Sequence, residues 1–162
     1  MKKLAFLPIV LILLLSCSND DNGNGEEVFE PQELEIQTVA HGAIHGSIEE
    51  LLEQNIVITS QSDWEELIDL MNSNNDVSGS FTETDIDFDI YQTIAVFDKN
   101  RSSLGWKITI IKIIEMQMEI IVTAEVTNTP NLANPVRQPF HIVKIPKSDK
   151  PVVFERIYPE GS

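Results

Sequence analysis

The chain has 162 residues, of which 11 are basic and 26 acidic, for a net charge of −15. That length fits one domain with a modest core, and a single cysteine, Cys17, leaves no partner for a disulfide. So acidic a chain disfavours nucleic acid and anionic lipid headgroups as partners, because displacing counterions from phosphates needs clustered cations.

Residues 1–16 read as a lipoprotein signal peptide. Met1-Lys2-Lys3 is a positive start, Leu4 to Leu15 an apolar run, and small Ser16 precedes Cys17. The run is too short to span a bilayer, which takes roughly 20 apolar residues. In this reading Cys17 becomes the first residue of the mature chain and carries acyl groups. Each buried methylene contributes roughly 0.8 kcal/mol, so two or more chains make a lasting anchor. Cleavage removes Lys2 and Lys3 and takes the net charge from −15 to −17. The expected address is the cell envelope, anchored in the outer membrane. Cys17-Ser18-Asn19-Asp20-Asp21 resembles an acidic surface-export signal and reads equally as a solvated linker, which leaves both the surface-facing and the periplasm-facing orientation open. Residues 17–29 contain little that could be buried and are expected to be a flexible acidic tether. Residues 30–162 are expected to form a single domain.

Strand signals begin at Glu35 to Val39 and return at Asn55 to Thr59. A helix follows: Ser62-Asp63-Trp64-Glu65 has the form of a capping box. Trp64, Leu67, Ile68 and Met71 then recur on one face until Asn72-Ser73-Asn74-Asn75 stops it. Tyr91 to Phe97 is a strand rich in apolar residues. Trp106 to Ile114 and Met118 to Thr127 form an antiparallel hairpin, the second arm alternating cleanly in strand period. Five prolines divide the last third into a loop and two strands, Phe140 to Ile145 and Val152 to Ile157. The expected fold is α+β: a mostly antiparallel sheet structure, sandwich or partly open barrel, with one helix packed on it.

Few residues carry recognisable chemistry. His41 and His45, four apart, would share a helix face and with Glu49 or Glu50 could hold zinc. The adjoining Gly42 and Gly46 argue against a helix, and the glutamate of an H-E-x-x-H motif is missing. Two exposed histidines in a loop or at a strand end are therefore expected. Asp85-Ile86-Asp87-Phe88-Asp89 alternates carboxylates as a calcium loop does, but Ile90 stands where such a loop needs glycine. The segment reads instead as the approach to a strand, with Ile86 and Phe88 pointing inward. No nucleophile elbow, P-loop or dinucleotide fingerprint occurs, and His141 reads as a packed or edge histidine. The expectation is a protein that is not an enzyme and uses no cofactor. Its candidate interaction loop is Thr127 to Gln138, with Asn131, Leu132, Asn134 and Arg137 as candidate contacts.

Several segments in order carry a resemblance. They are Ile56-Val57-Ile58-Thr59-Ser60-Gln61-Ser62-Asp63-Trp64, Ile86-Asp87-Phe88 with Thr93 to Phe97, Arg101-Ser102-Ser103-Leu104-Gly105-Trp106 running into Ile110, and Pro139 to Lys147 before Val152-Val153-Phe154. Over roughly Glu35 to Arg156 the chain resembles the C-terminal domain of PrcB-type subunits of a bacterial surface protease complex. The resemblance implies a non-catalytic accessory module that assembles or stabilises an envelope protease. In physical terms, Gly105 allows a sharp turn or close backbone approach, Trp106 offers a large buried or interfacial surface, and Asp87-Phe88 anchors the approach to a strand. The alternative is a surface binder of a small ligand, glycan or divalent cation, for which the acidic first half, Tyr91 and Trp106 would matter.

Overall fold

The computed structural model describes residues 29–46, 48–130, 133 and 135–160. Cys17, the signal peptide, nearly all of the tether and three of the four loop residues, Asn131, Leu132 and Asn134, lie outside the described residues. The elements in chain order are β1 (Gln32–Glu33), β2 (Gln37–His45), β3 (Gln54–Ile58), α1 (Gln61–Met71), β4 (Tyr91–Phe97), β5 (Trp106–Glu115), β6 (Ile120–Asn128), β7 (Arg137–Pro146) and β8 (Val152–Ile157). Two short 3-10 turns, Glu49–Leu51 and Ser78–Ser80, complete the set.

The fold is α+β. Two four-stranded sheets, ordered β1-β5-β6-β8 and β2-β7-β4-β3, stack face to face, and neither closes into a barrel. The second sheet is central, because α1 covers its other face. This explains why β4 does not alternate: Ala95 and Phe97 pack toward the helix while Ile94 and Val96 pack toward the outer sheet. β7 divides its residues likewise, with Phe140 and Ile142 on the helix side and Val143 and Ile145 on the other. A strand buried on both faces reads as a continuous apolar run. β6, covered on one face only, keeps strict alternation, with Ile120, Val122, Ala124 and Val126 buried.

α1 places Trp64, Leu67 and Met71 in the core, and the indole Nε1 of Trp64 donates to the Thr84 carbonyl at 2.8 Å. Its start differs from the expected capping box. The helix begins at Gln61, and the cap is Ser60, whose hydroxyl accepts from the Asp63 amide at 3.2 Å and donates to the Asp63 carboxylate at 2.7 Å. Glu65 instead accepts from the Gln61 side chain at 2.8 Å, one turn back. Two serines two residues apart offered the same motif, and the one with extended backbone took it.

Three further features come from the structure. β2 runs on through His45, so the histidine segment is strand, with both imidazoles exposed and His45 at the strand end, one of the two settings expected. The two-residue β1 pairs with Ile114 and Glu115, a contact too short to show a period. β8 lies parallel to β6, not antiparallel to a neighbour. The crossing from β7 to β8 accounts for that direction. Lys150 Nζ holds Glu115 Oε1 and the Met116 carbonyl, each at 2.8 Å, and the Ile120 amide donates to the Pro151 carbonyl at 2.9 Å. β8 is thereby delivered to the end where β6 starts, and both must run the same way.

The hairpin β5–β6 opens on a contact that only glycine permits. A Cβ on Gly105 would lie 1.7 Å from the Thr129 carbonyl oxygen, while the Thr129 amide donates to the Gly105 carbonyl at 3.0 Å. Gly105 lies in a turn and makes the close backbone approach, the two roles expected of it.

The helix start generates a test. Ser60→Ala should lower unfolding free energy by about 1 kcal/mol, the usual cost of an N-cap, and Ser62→Ala by less than about 0.5 kcal/mol. Urea unfolding of the two variants checks the assignment; a loss at Ser62 as large as or larger than that at Ser60 would contradict it.

Candidate binding cleft

β2 and β7 pair antiparallel with His41 opposite His141, Ala43 opposite Pro139 and His45 opposite Arg137. On a strand, residues four apart share a face but stand roughly 13 Å apart, so His41 and His45 do not meet as they would on a helix. His45 Nε2 accepts from the Arg137 guanidinium at 2.6 Å. His41 meets His141 instead, with ring centroids 4.6 Å apart. Among the described residues no three His, Cys, Asp or Glu side chains gather around one point.

His141 is buried between the sheets. Its Nδ1 accepts from the Ile110 amide at 2.8 Å, so the ring proton sits on Nε2, 3.1 Å from the Thr38 hydroxyl. That amide adjoins the register shift between Ile110 and Lys112 in β5. A bulge disrupts the ladder locally, and the imidazole accepts the amide of the residue beside it. Burial, and then the neighbouring His41, push the His141 pKa down to about 4. His41 donates to the Ile108 carbonyl at 3.1 Å. Its pKa is also lowered, chiefly by burial and further by Lys107, against the opposing pull of that carbonyl.

One end of the sandwich is tied by a second polar group. Asp98 and Arg101, both buried, form a two-pronged ion pair of 2.7 and 3.0 Å. The Arg101 guanidinium lies 3.8 Å from the ring centre of Trp106, and its backbone exchanges hydrogen bonds of 2.7 and 2.9 Å with Arg137. Fully buried Gln138 donates to the Leu51 and Asp98 carbonyls. The segment from Asp98 to Trp106 is thus laced to the first residues of β7.

This lacing shapes a cleft of about 240 Å³ beside β2, walled by His41, Ala43, Leu104, Trp106, Lys107 and Arg137, with Gly42 and Ser103 completing it. Two of these residues are permanent cations and none is acidic, in a chain of net charge −15. An aromatic wall with a guanidinium and an ammonium suits a carboxylate or another anionic group. Of the candidate loop residues Arg137 belongs to this cleft, although it is the first residue of β7 rather than a loop residue. Trp106 also lines it. Tyr91 lies elsewhere, under Lys144 Nζ at 4.8 Å. Sequence reasoning missed Asp98 and Lys107, and took Gln138 for the end of a loop. The Asp98…Arg101 spacing was visible, but an i, i+3 pair outside a helix carries no signal of burial.

The aspartate segment is structural at its centre. Ile86 and Phe88 are buried, Asp87 Oδ1 accepts from the Asp89 amide at 3.0 Å, and the Asp87 carbonyl accepts from the amides of Ile90 and Tyr91.

No protein-family model, no curated protein and no solved structure matches this chain.

The buried histidine generates a pH prediction. Because the folded-state pKa of His141 is depressed from 6.5 to about 4, the unfolded chain binds the proton more readily between those values. His141 therefore contributes stability that is present above pH 6.5 and lost as pH falls toward 4. Urea midpoints from pH 4 to 7 should rise with pH, and His141→Gln should flatten that rise. An unchanged slope in the variant would contradict the assignment.

Proposed function

We propose that the protein is a lipid-anchored, non-catalytic interaction module of the cell envelope, which stabilises or assembles a surface protease complex. The observation that carries this reading is the polarity of the domain. The chain enters at β1, against Ile114 and Glu115 at the end of β5. The cleft is built on Trp106 at the other end of that ten-residue strand, roughly 30 Å away. A body tethered through Cys17 would have its Trp106–Arg137 end on the far side of the domain from its attachment, open to a partner. The envelope address rests on the sequence around Cys17 and the protease partner on the resemblance to PrcB-type domains. The engagement of His41, His45, His141 and Asp98 in contacts within the fold supports a binding role over a catalytic one. Among the described residues no helix is long and apolar enough to cross a membrane, and the reading needs none.

The second reading, a binder of a small surface ligand, gains from the cleft's composition. With Lys107 and Arg137 in its wall and no carboxylate, the cleft favours an anionic ligand over a divalent cation.

Cross-linking in intact cells, followed by capture of the full chain and mass spectrometry, tests the first reading. The expected result is one envelope protease in near-equal amount, reduced at least fivefold by Lys107→Glu and lost from the membrane fraction with Cys17→Ser. Recovery of no enriched protein, or of the same protein undiminished by Lys107→Glu, would contradict it.

A further inference from the structure

The two sheets have four edges, and three are blunted. β1 is two residues long. β2 is interrupted by a register shift between Thr38 and Ala40. β8 carries Glu155 and Arg156 in mid-strand. Short length, bulges and edge charges are the usual devices against strand addition. β3 has none of them. It pairs with β4 in unbroken register from Gln54 to Ile58, contains no Lys, Pro or Gly, and ends in the β-branched run Ile56-Val57-Ile58. Arg156 reaches its first two residues, 3.1 Å from the Gln54 carbonyl and 2.6 Å from Asn55 Oδ1. The Ile56–Ile58 end is left, and among the described residues β3 pairs with no strand but β4.

Beside this edge, between β3 and α1, lies a groove of about 290 Å³. Ile56, Leu67 and Leu70 supply apolar lining and Glu50, Asp63 and Glu66 supply charge, while no Lys or Arg lines it. An unprotected edge beside an apolar groove is the arrangement that strand-adding peptides use. Main-chain hydrogen bonds then give affinity, and alternate side chains entering the groove give specificity. We propose that β3 and the groove under α1 dock an extended basic peptide of a partner protein, with an apolar side chain in the groove and flanking Lys or Arg against Glu50, Asp63 and Glu66. A second copy of this chain is a poor occupant, since pairing through β3 would bring two such acidic rims and two chains of net charge −15 together. The surface lies at the opposite edge of the central sheet from the cleft on β2, so it goes beyond the envelope reading and does not depend on it.

The test uses the full chain in detergent and a fluorescein-labelled, end-capped pentapeptide alternating lysine and valine. Anisotropy should show saturable binding, and hydrogen exchange read by mass spectrometry should show the amides of residues 54–58 protected by the peptide. The double variant Glu50→Lys with Glu66→Lys, at two exposed positions, should weaken binding at least tenfold while leaving the circular dichroism spectrum unchanged. A matched glutamate–valine peptide should not bind. Absence of binding, insensitivity to the charge reversal, protection confined to the β2 cleft, or dimerisation of the chain through β3 would each overturn the proposal.

Discussion

Burial of the central sheet on both faces is the constraint on which the other features depend. β4 and β7 lie side by side in its middle, with α1 against one face and the outer sheet against the other. Ile94, Ala95, Val96 and Phe97 are fully buried in sequence, as are Ile142 and Val143 opposite them. Fully burying a side chain of this size stabilises the fold by about 1.5–3 kcal/mol. No other adjacent pair of strands concentrates so much of that gain. Both strands contribute residues to both clusters of core residues, so each outer layer packs on the middle one.

A sheet covered on both faces has to meet its polar groups largely from within; Gln92 Nε2 and Thr93 Oγ1 in β4 have no partner, whereas near Asp98 and Gln138 several groups find one. His141 accepts the Ile110 amide beside the irregularity in β5, Gln138 ties the Leu51 carbonyl to the end of β4, and Asp98 holds Arg101. Bonds of this kind favour one geometry, because breaking one leaves a buried group unpaired at a cost of about 1–3 kcal/mol, although Gln138 Oε1 itself has no partner. The same bonds give the cleft its walls: Arg101 packs against Trp106, and the backbone of Arg101 holds Arg137. Structural necessity and the candidate binding surface therefore share residues, so a binding test is cleaner at exposed Lys107 than at Trp106 or Arg137.

Elements with a one-sided environment were legible in the sequence. β6 alternates because one face is buried, and the stripe of Trp64, Leu67 and Met71 marked α1 because the helix lies on a surface. Features set by long-range geometry were hidden. The parallel direction of β8 depends on Lys150 capturing Glu115 and Met116, a contact across 34 and 35 residues. The strand expected over Glu35 to Val39 runs on through His45, its pairing with β7 carrying it past both histidines. The candidate loop was read two residues too far at each end, since Thr127 and Asn128 close β6 and Arg137 and Gln138 open β7; Gln138 is polar and so looked like loop, but it is fully buried with both amide protons engaged. Arg137 was picked out for its charge, and its pairing with His45 and Arg101 could only come from the fold.

The central claim is that β4 and β7 are the last part of the molecule to open. Native-state hydrogen exchange across a denaturant series measures this residue by residue. The amides of β4 and β7 that bond within the central sheet, around Ile94 to Val96 and Ile142 to Val143, should exchange only through global unfolding, with free energies matching the urea value, while those of β8 and the Ile56–Ile58 edge exchange sooner through local opening. Exchange of the central amides at free energies equal to or below those of β8 would contradict the account.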